Sequence, residues 1–88
     1  YSMTKTERTQ EATRMFYEIC ERNDFKVVDD GFGYWYVAKQ GSMREKYMFQ
    51  VQRRGFEIDT NFCECELALQ FAKDLAIELE NIKRMFDI

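Results

Sequence analysis

Residues 46–59, KYMFQVQRRGFEID, decide the fold. Apolar and polar side chains alternate here, with Tyr47, Phe49 and Val51 on one face and Met48, Gln50 and Gln52 on the other. That is the period of a half-buried strand. Arg54-Gly55 then reads as a tight hairpin turn into a returning strand, in which Phe56 and Ile58 alternate with Glu57 and Asp59. Pairing across the turn sets Val51 opposite Ile58 and Phe49 opposite Thr60, so one face of the hairpin is apolar and must be covered.

Toward the N-terminus, Phe25–Asp29 reads as a short strand, Asp30-Gly31-Phe32-Gly33 as a turn, and Tyr34–Lys39 as a second strand. The polar segment QGSMRE (40–45) joins it to the hairpin. Tyr34, Trp35 and Tyr36 are consecutive, and a strand sends neighbours to opposite faces. Trp35 opposite Val51 and Val37 opposite Phe49 puts the most apolar pair under cover. That register leaves Tyr34 and Tyr36 beside Gln50, Gln52 and Lys26 on the open face. A slip of one residue reverses the assignment.

Amphipathic helices flank the strands. Over residues 4–23, Ala12, Met15, Phe16, Ile19 and Cys20 recur at helical spacing. Thr4 or Thr6 serves as N-cap, Thr4 and Glu7 have capping-box spacing, and Asn23 is expected to end the helix in the left-handed conformation. The second helix is expected from about Cys63 to Met85. Thr60 or Asn61 caps it, Glu64 and Glu66 complement its dipole at the start, and Lys83 and Arg84 do so at the end. Its stripe is Ala68, Phe71, Ala72, Leu75, Leu79, Ile82 and Phe86, widened by Leu67, Leu69 and Ile77, broad enough to meet both the sheet and the first helix. The expected fold class is α+β: an N-terminal helix, a four-stranded antiparallel meander and a long C-terminal helix (αββββα), with both helices on one face of the sheet.

The chain has 88 residues, with 45% hydrophobic content and a net charge of −3, which together exclude a disordered segment. One domain, residues 3–88, is expected, with Tyr1-Ser2 ahead of Met3 read as a cloning remnant. No apolar run approaches the length of a membrane span, so a soluble cytoplasmic protein is expected. Three cysteines, Cys20, Cys63 and Cys65, suit free thiols better than a disulfide framework. The sequence contains no histidine, which removes the commonest general base and the commonest metal ligand together. Cys63 and Cys65 stand at a helix start but lack the further ligands a metal needs. Asp29-Asp30 sits in a turn, where aspartate bonds its own backbone. No nucleophile has a plausible base, so neither an enzyme nor a cofactor is expected.

What remains is a surface. Tyr34, Tyr36, Met48, Gln50 and Gln52 share the open face, with Lys46, Arg53 and Arg54 at the hairpin edges. Tyr, Met and Arg are enriched at interface cores, which points to a partner-binding surface for a larger protein or complex, or for a second copy in a homodimer. Charge is uneven along the chain: residues 25–55 hold six basic and three acidic residues, and residues 56–88 hold three and eight. A basic, aromatic sheet is also the outline of a nucleic-acid face, here through Tyr34, Tyr36, Lys46, Arg53 and Arg54. The carboxylates of Glu57, Asp59, Glu64 and Glu66 beside it oppose phosphate.

The stretch GYWYVAKQG followed by KYMFQVQRRGFEIDTNFCECELALQFA resembles the three-strand-plus-helix pattern of arm-type and AP2-like DNA-binding domains. Its element order is also similar to that of the double-stranded-RNA-binding fold. Those resemblances imply the nucleic-acid alternative, although CECE (63–66) stands where the RNA-binding family has a basic helix start. The small, acidic, cofactor-free composition in turn resembles that of phage and mobile-element inhibitors of host defence systems, anti-CRISPR proteins among them. That likeness implies a protein that works by occupying a partner's surface in the host cytoplasm.

Overall fold

The structure is a computed structural model and describes residues 2–41, 47–59 and 66–88, with backbone only at Tyr47, Met48 and Leu67. The elements run α1 (Lys5–Arg22), β1 (Phe25–Asp29), β2 (Tyr34–Lys39), β3 (Tyr47–Gln52), β4 (Glu57–Asp59) and α2 (Glu66–Phe86). The strands form one antiparallel sheet in the order β1-β2-β3-β4, giving the αββββα arrangement expected from the sequence. No helix among the described residues is long and apolar enough to cross a membrane.

Register follows the apolar pattern. Trp35 pairs with Val51, Val37 with Phe49, and Val51 in turn with Ile58. Trp35, Val37, Phe49 and Val51 are all buried, and both helices cover them from the same side. Phe16 of α1 lies 4.8 Å from the Trp35 ring, while Phe71 of α2 stacks on Phe25 at 4.3 Å and reaches Phe49 at 6.0 Å. The buried stripe of α1 is Ala12, Phe16, Ile19 and Cys20; that of α2 is Ala68, Ala72, Leu75, Leu79 and Ile82. Phe71 and Phe86 are half-buried against the same core.

Thr4 caps α1 through the complete capping box with Glu7. The other end differs from expectation. Asn23 keeps φ −101° while Asp24 takes the left-handed conformation at φ 62°. Asn23 instead donates its side-chain amide to the Ile19 carbonyl at 2.7 Å, which fills an end-of-helix acceptor and shifts the reversal one residue on.

Three further differences follow, two from the backbone's freedom to break strict periodicity and one from how far the neighbours of α2 reach around it. The β3–β4 connection spans residues 53–56, so Phe56 lies in the turn and not in β4. It takes φ 51° there, yet remains buried against Phe16 and Trp35. Burial of the ring offsets the cost of that backbone, since left-handed φ is disfavoured for a bulky residue. Second, Val37↔Phe49 is followed by Ala38↔Tyr47, so Met48 is the extra residue of a β-bulge and the alternation expected for 46–53 stops at Phe49. Third, Ile77 does not widen the α2 stripe; it is 65% exposed. The expected N-cap at Thr60 or Asn61, and Cys63, Glu64 and Cys65, lie outside the described residues.

Candidate functional site

Two turns meet at one end of the sheet, and aspartate chemistry builds the first of them. The Asp29 carboxylate accepts from the Gly31 N–H at 2.8 Å. Asp30 accepts from the Phe32 and Tyr34 N–H groups at 2.6 and 3.1 Å, and its own N–H donates to the Tyr34 carbonyl at 3.1 Å. Gly31 and Gly33 take φ of 76° and 100°, which a side chain would resist. Both carboxylates of the Asp29-Asp30 pair are thus turn ligands, the role aspartate takes in such loops.

The β3–β4 turn is tied to this one. The Arg53 N–H donates to the Gly33 carbonyl at 2.9 Å, and its Nη1 reaches Asp29 Oδ2 at 3.1 Å. The Arg53 guanidinium also lies 5.4 Å from the Trp35 ring centroid, a cation–π distance. Arg53, placed at the partner surface by the sequence pattern, therefore uses its charge to couple the two turns. Arg54 beside it is exposed. Nearby on α1, Tyr17 packs edge-on against Trp35 at 6.1 Å. Burial, and then the Asp29 charge, push its phenol above the ordinary value.

Phe32 is the consequence of this construction. It sits at the turn tip, 89% exposed, on backbone fixed from both sides by hydrogen bonds. Sequence reasoning gave it only a place in a turn. The available signal was an aromatic in the middle of a DDGFG turn, where small and polar residues suffice.

On the open face, Tyr34 pairs with Gln52 and Tyr36 with Gln50, as expected. Tyr34 is 38% exposed, while Tyr36, Gln50 and Gln52 are half-buried. Lys26 and Val28 of β1 extend the surface on one side, and Glu57 and Asp59 of β4 extend it on the other. Tyr34 and Gln52 line a shallow depression of about 270 Å³ with Glu57, Ile58 and Asp59. Lys46 and the Met48 side chain lie outside the described residues. The structure thus brings Tyr34, Tyr36, Gln50 and Gln52 together and adds Phe32 at their end, with Arg53 exposed beside them and tied to Asp29.

Chemistry is sparse elsewhere. Among the described residues no group of three or more Cys, Asp or Glu is placed to hold a metal ion. Cys20 is a free, buried thiol. No protein family, no curated protein and no solved structure matches the chain.

Proposed function

We propose that this chain is a non-catalytic protein-binding module whose partner surface is the open sheet face together with the Phe32 turn. The observation that carries the reading is Phe32, a large apolar side chain exposed to water at the tip of a turn whose backbone is held by the Asp29 and Asp30 carboxylates. Exposing it has a free-energy cost, and a turn backbone already held by hydrogen bonds loses little entropy when the ring enters a pocket on a partner. Tyr34 and Tyr36 supply the amphipathic area beside it. The acidic β4 supports a protein partner over nucleic acid, because Glu57 and Asp59 flank Tyr34 where a phosphate would have to lie. The role that suits such a surface is inhibition of a larger complex by covering a working face, as the composition of phage-encoded inhibitors suggests. A cytoplasmic setting accords with the free Cys20 thiol.

The test uses Phe32→Ala, and Tyr34→Ala with Tyr36→Ala, in affinity capture from host lysate with and without nuclease. The partner found is then reconstituted pure. Each variant is expected to melt close to wild type while losing about tenfold or more in affinity, since burying one such ring contributes roughly 1.5–3 kcal/mol. Affinity should fall far less steeply with salt than phosphate contacts would require, because apolar burial is not screened. Duplex DNA should bind no tighter than the non-specific range of about 10⁻⁴–10⁻⁶ M at physiological salt. Tight binding to a defined DNA or RNA, with a log–log salt slope near −0.9 per phosphate on duplex, would give the decision to the nucleic-acid reading. A stable homodimer lost in the tyrosine variant would name a second copy as the partner.

A further inference from the structure

The end of the molecule that carries the two turns also carries a groove. It lies between the start of α1, the β3–β4 turn and the end of α2, has a volume of about 300 Å³, and includes Lys5, Arg53, Arg54, Phe56, Lys83 and Ile88 in its lining. The two helices bring this about by running antiparallel, so that the first turn of α1 faces the last turn of α2. Lys83 donates to the Gly55 carbonyl at 3.0 Å and fixes α2 to the turn. At the helix end, the N–H groups of Asp87 and Ile88 donate back to the Arg84 and Lys83 carbonyls, a Schellman closure that folds Ile88 over the groove.

The charges around the groove are not balanced internally. Arg53 is paired with Asp29 and Lys83 with Glu80, while Glu57 stands beside Gly55. Lys5 and Arg54 are exposed and form no ion pair among the described residues. Arg8, one helical turn from Lys5, has its Nε buried with no acceptor among the described residues. In a chain of net charge −3, the two exposed cations Lys5 and Arg54, unpaired among the described residues beside a mostly apolar lining, select the groove's occupant. A bare phosphate would leave the apolar lining around Ile88 wet and would meet Glu57 and Glu80. An apolar side chain flanked by carboxylates matches both the floor and the rim.

We propose that this groove receives one apolar side chain from an acidic segment of the protein partner. The proposal rests on the protein-binding reading above and adds the partner's chemistry. The cavity, at the small end of ligand pockets, suits a single side chain better than a cofactor. Opposite charge on the rim would also steer the acidic segment in, while the rest of the acidic chain repels it and so sets its orientation.

The probe is a short fluorescein-labelled peptide of glutamates around one central phenylalanine, read by anisotropy and by amide shifts. Wild type is expected to bind it with shifts at Lys5, Arg54, Phe56 and Ile88. Replacing the phenylalanine of the peptide by alanine, or changing the protein by Lys5→Glu with Arg54→Glu, should weaken binding by about tenfold or more. Both protein changes are on exposed side chains, and the milder Lys5→Gln with Arg54→Gln should give an intermediate loss. Tyr34→Ala with Tyr36→Ala should leave peptide binding unchanged, so a failed groove and a failed sheet face give different patterns. Equal affinity of wild type and the charge-reversed protein, weakening by the tyrosine changes, or tighter binding of a single-stranded oligonucleotide at these residues would each overturn the proposal.

Discussion

Leu79→Ala is expected to remove about 2–5 kcal/mol of stability, the range for deleting a fully buried leucine side chain from a packed core. Leu79 is 1% exposed and belongs to the cluster that contains Phe16, Trp35, Val51 and Leu75. A domain of this size has a total stability of roughly 0.05–0.15 kcal/mol per residue, so the loss takes a large share of it. At about 4–8 °C per kcal/mol for a small domain, the melting point should fall by about 8–40 °C or the fold should be lost. Leu75, equally buried one turn earlier, should behave alike. Ile77 is the internal control, because it is 65% exposed on the opposite side of the same helix. Ile77→Ala should change stability by no more than about 0.5 kcal/mol. A Leu79→Ala protein melting within a degree or two of wild type, or an Ile77→Ala protein losing as much as Leu79→Ala, would mean that α2 is not docked as described.

The same pair of residues shows what a sequence pattern carries and where it stops. Leu75 and Leu79 are legible because a spacing of four places them on one stripe, and the stripe must go under cover somewhere. Ile77 is legible only as apolar, since a stripe's width depends on how much of the helix its neighbours reach. The choice of register at Trp35 was readable because one alternative buries Trp35 and Val37 and the other buries two phenols. The Met48 bulge and the position of Phe56 were not readable. Each is a compromise between periodicity and tertiary packing, and the sequence states only the first. For the surface, alternation located Tyr34 and Tyr36, and charge alone singled out Arg53. Its engagement with Asp29, 24 residues away in the chain, depends on two turns coming to the same end of the sheet. Phe32 escaped for the complementary reason. Its exposure follows from the hydrogen bonds of Asp29 and Asp30, which look in the sequence like ordinary turn residues.

Alkaline solution should expose the core in a way that isolates a single atom, the Cys20 sulfur. Cys20 is fully buried, and burial, followed by the charge of Glu21, pushes its thiol from the ordinary 9.0 up to about 12. The unfolded chain therefore releases this proton near pH 9 while the folded chain keeps it. Stability then falls as pH rises, because the unfolded state binds fewer protons than the native one. The slope is about 1.4 kcal/mol per pH unit between the two values, giving a loss of roughly 3 kcal/mol by pH 11. Other groups also lose protons in alkaline solution, so the useful comparison is with Cys20→Ala at each pH. Contributions common to both proteins cancel there. At pH 7 the variant should be less stable by about 1 kcal/mol, the usual cost of a small cavity. Near pH 10 the two should become equal, and at pH 11 the variant should be the more stable. Urea unfolding followed through the fluorescence of Trp35, the sole tryptophan, gives both stabilities from one probe. A difference between the proteins that stays constant from pH 8 to 11 would mean that the Cys20 thiol meets water in the native state, and that the junction of α1 with β1 is looser than the packing around it requires.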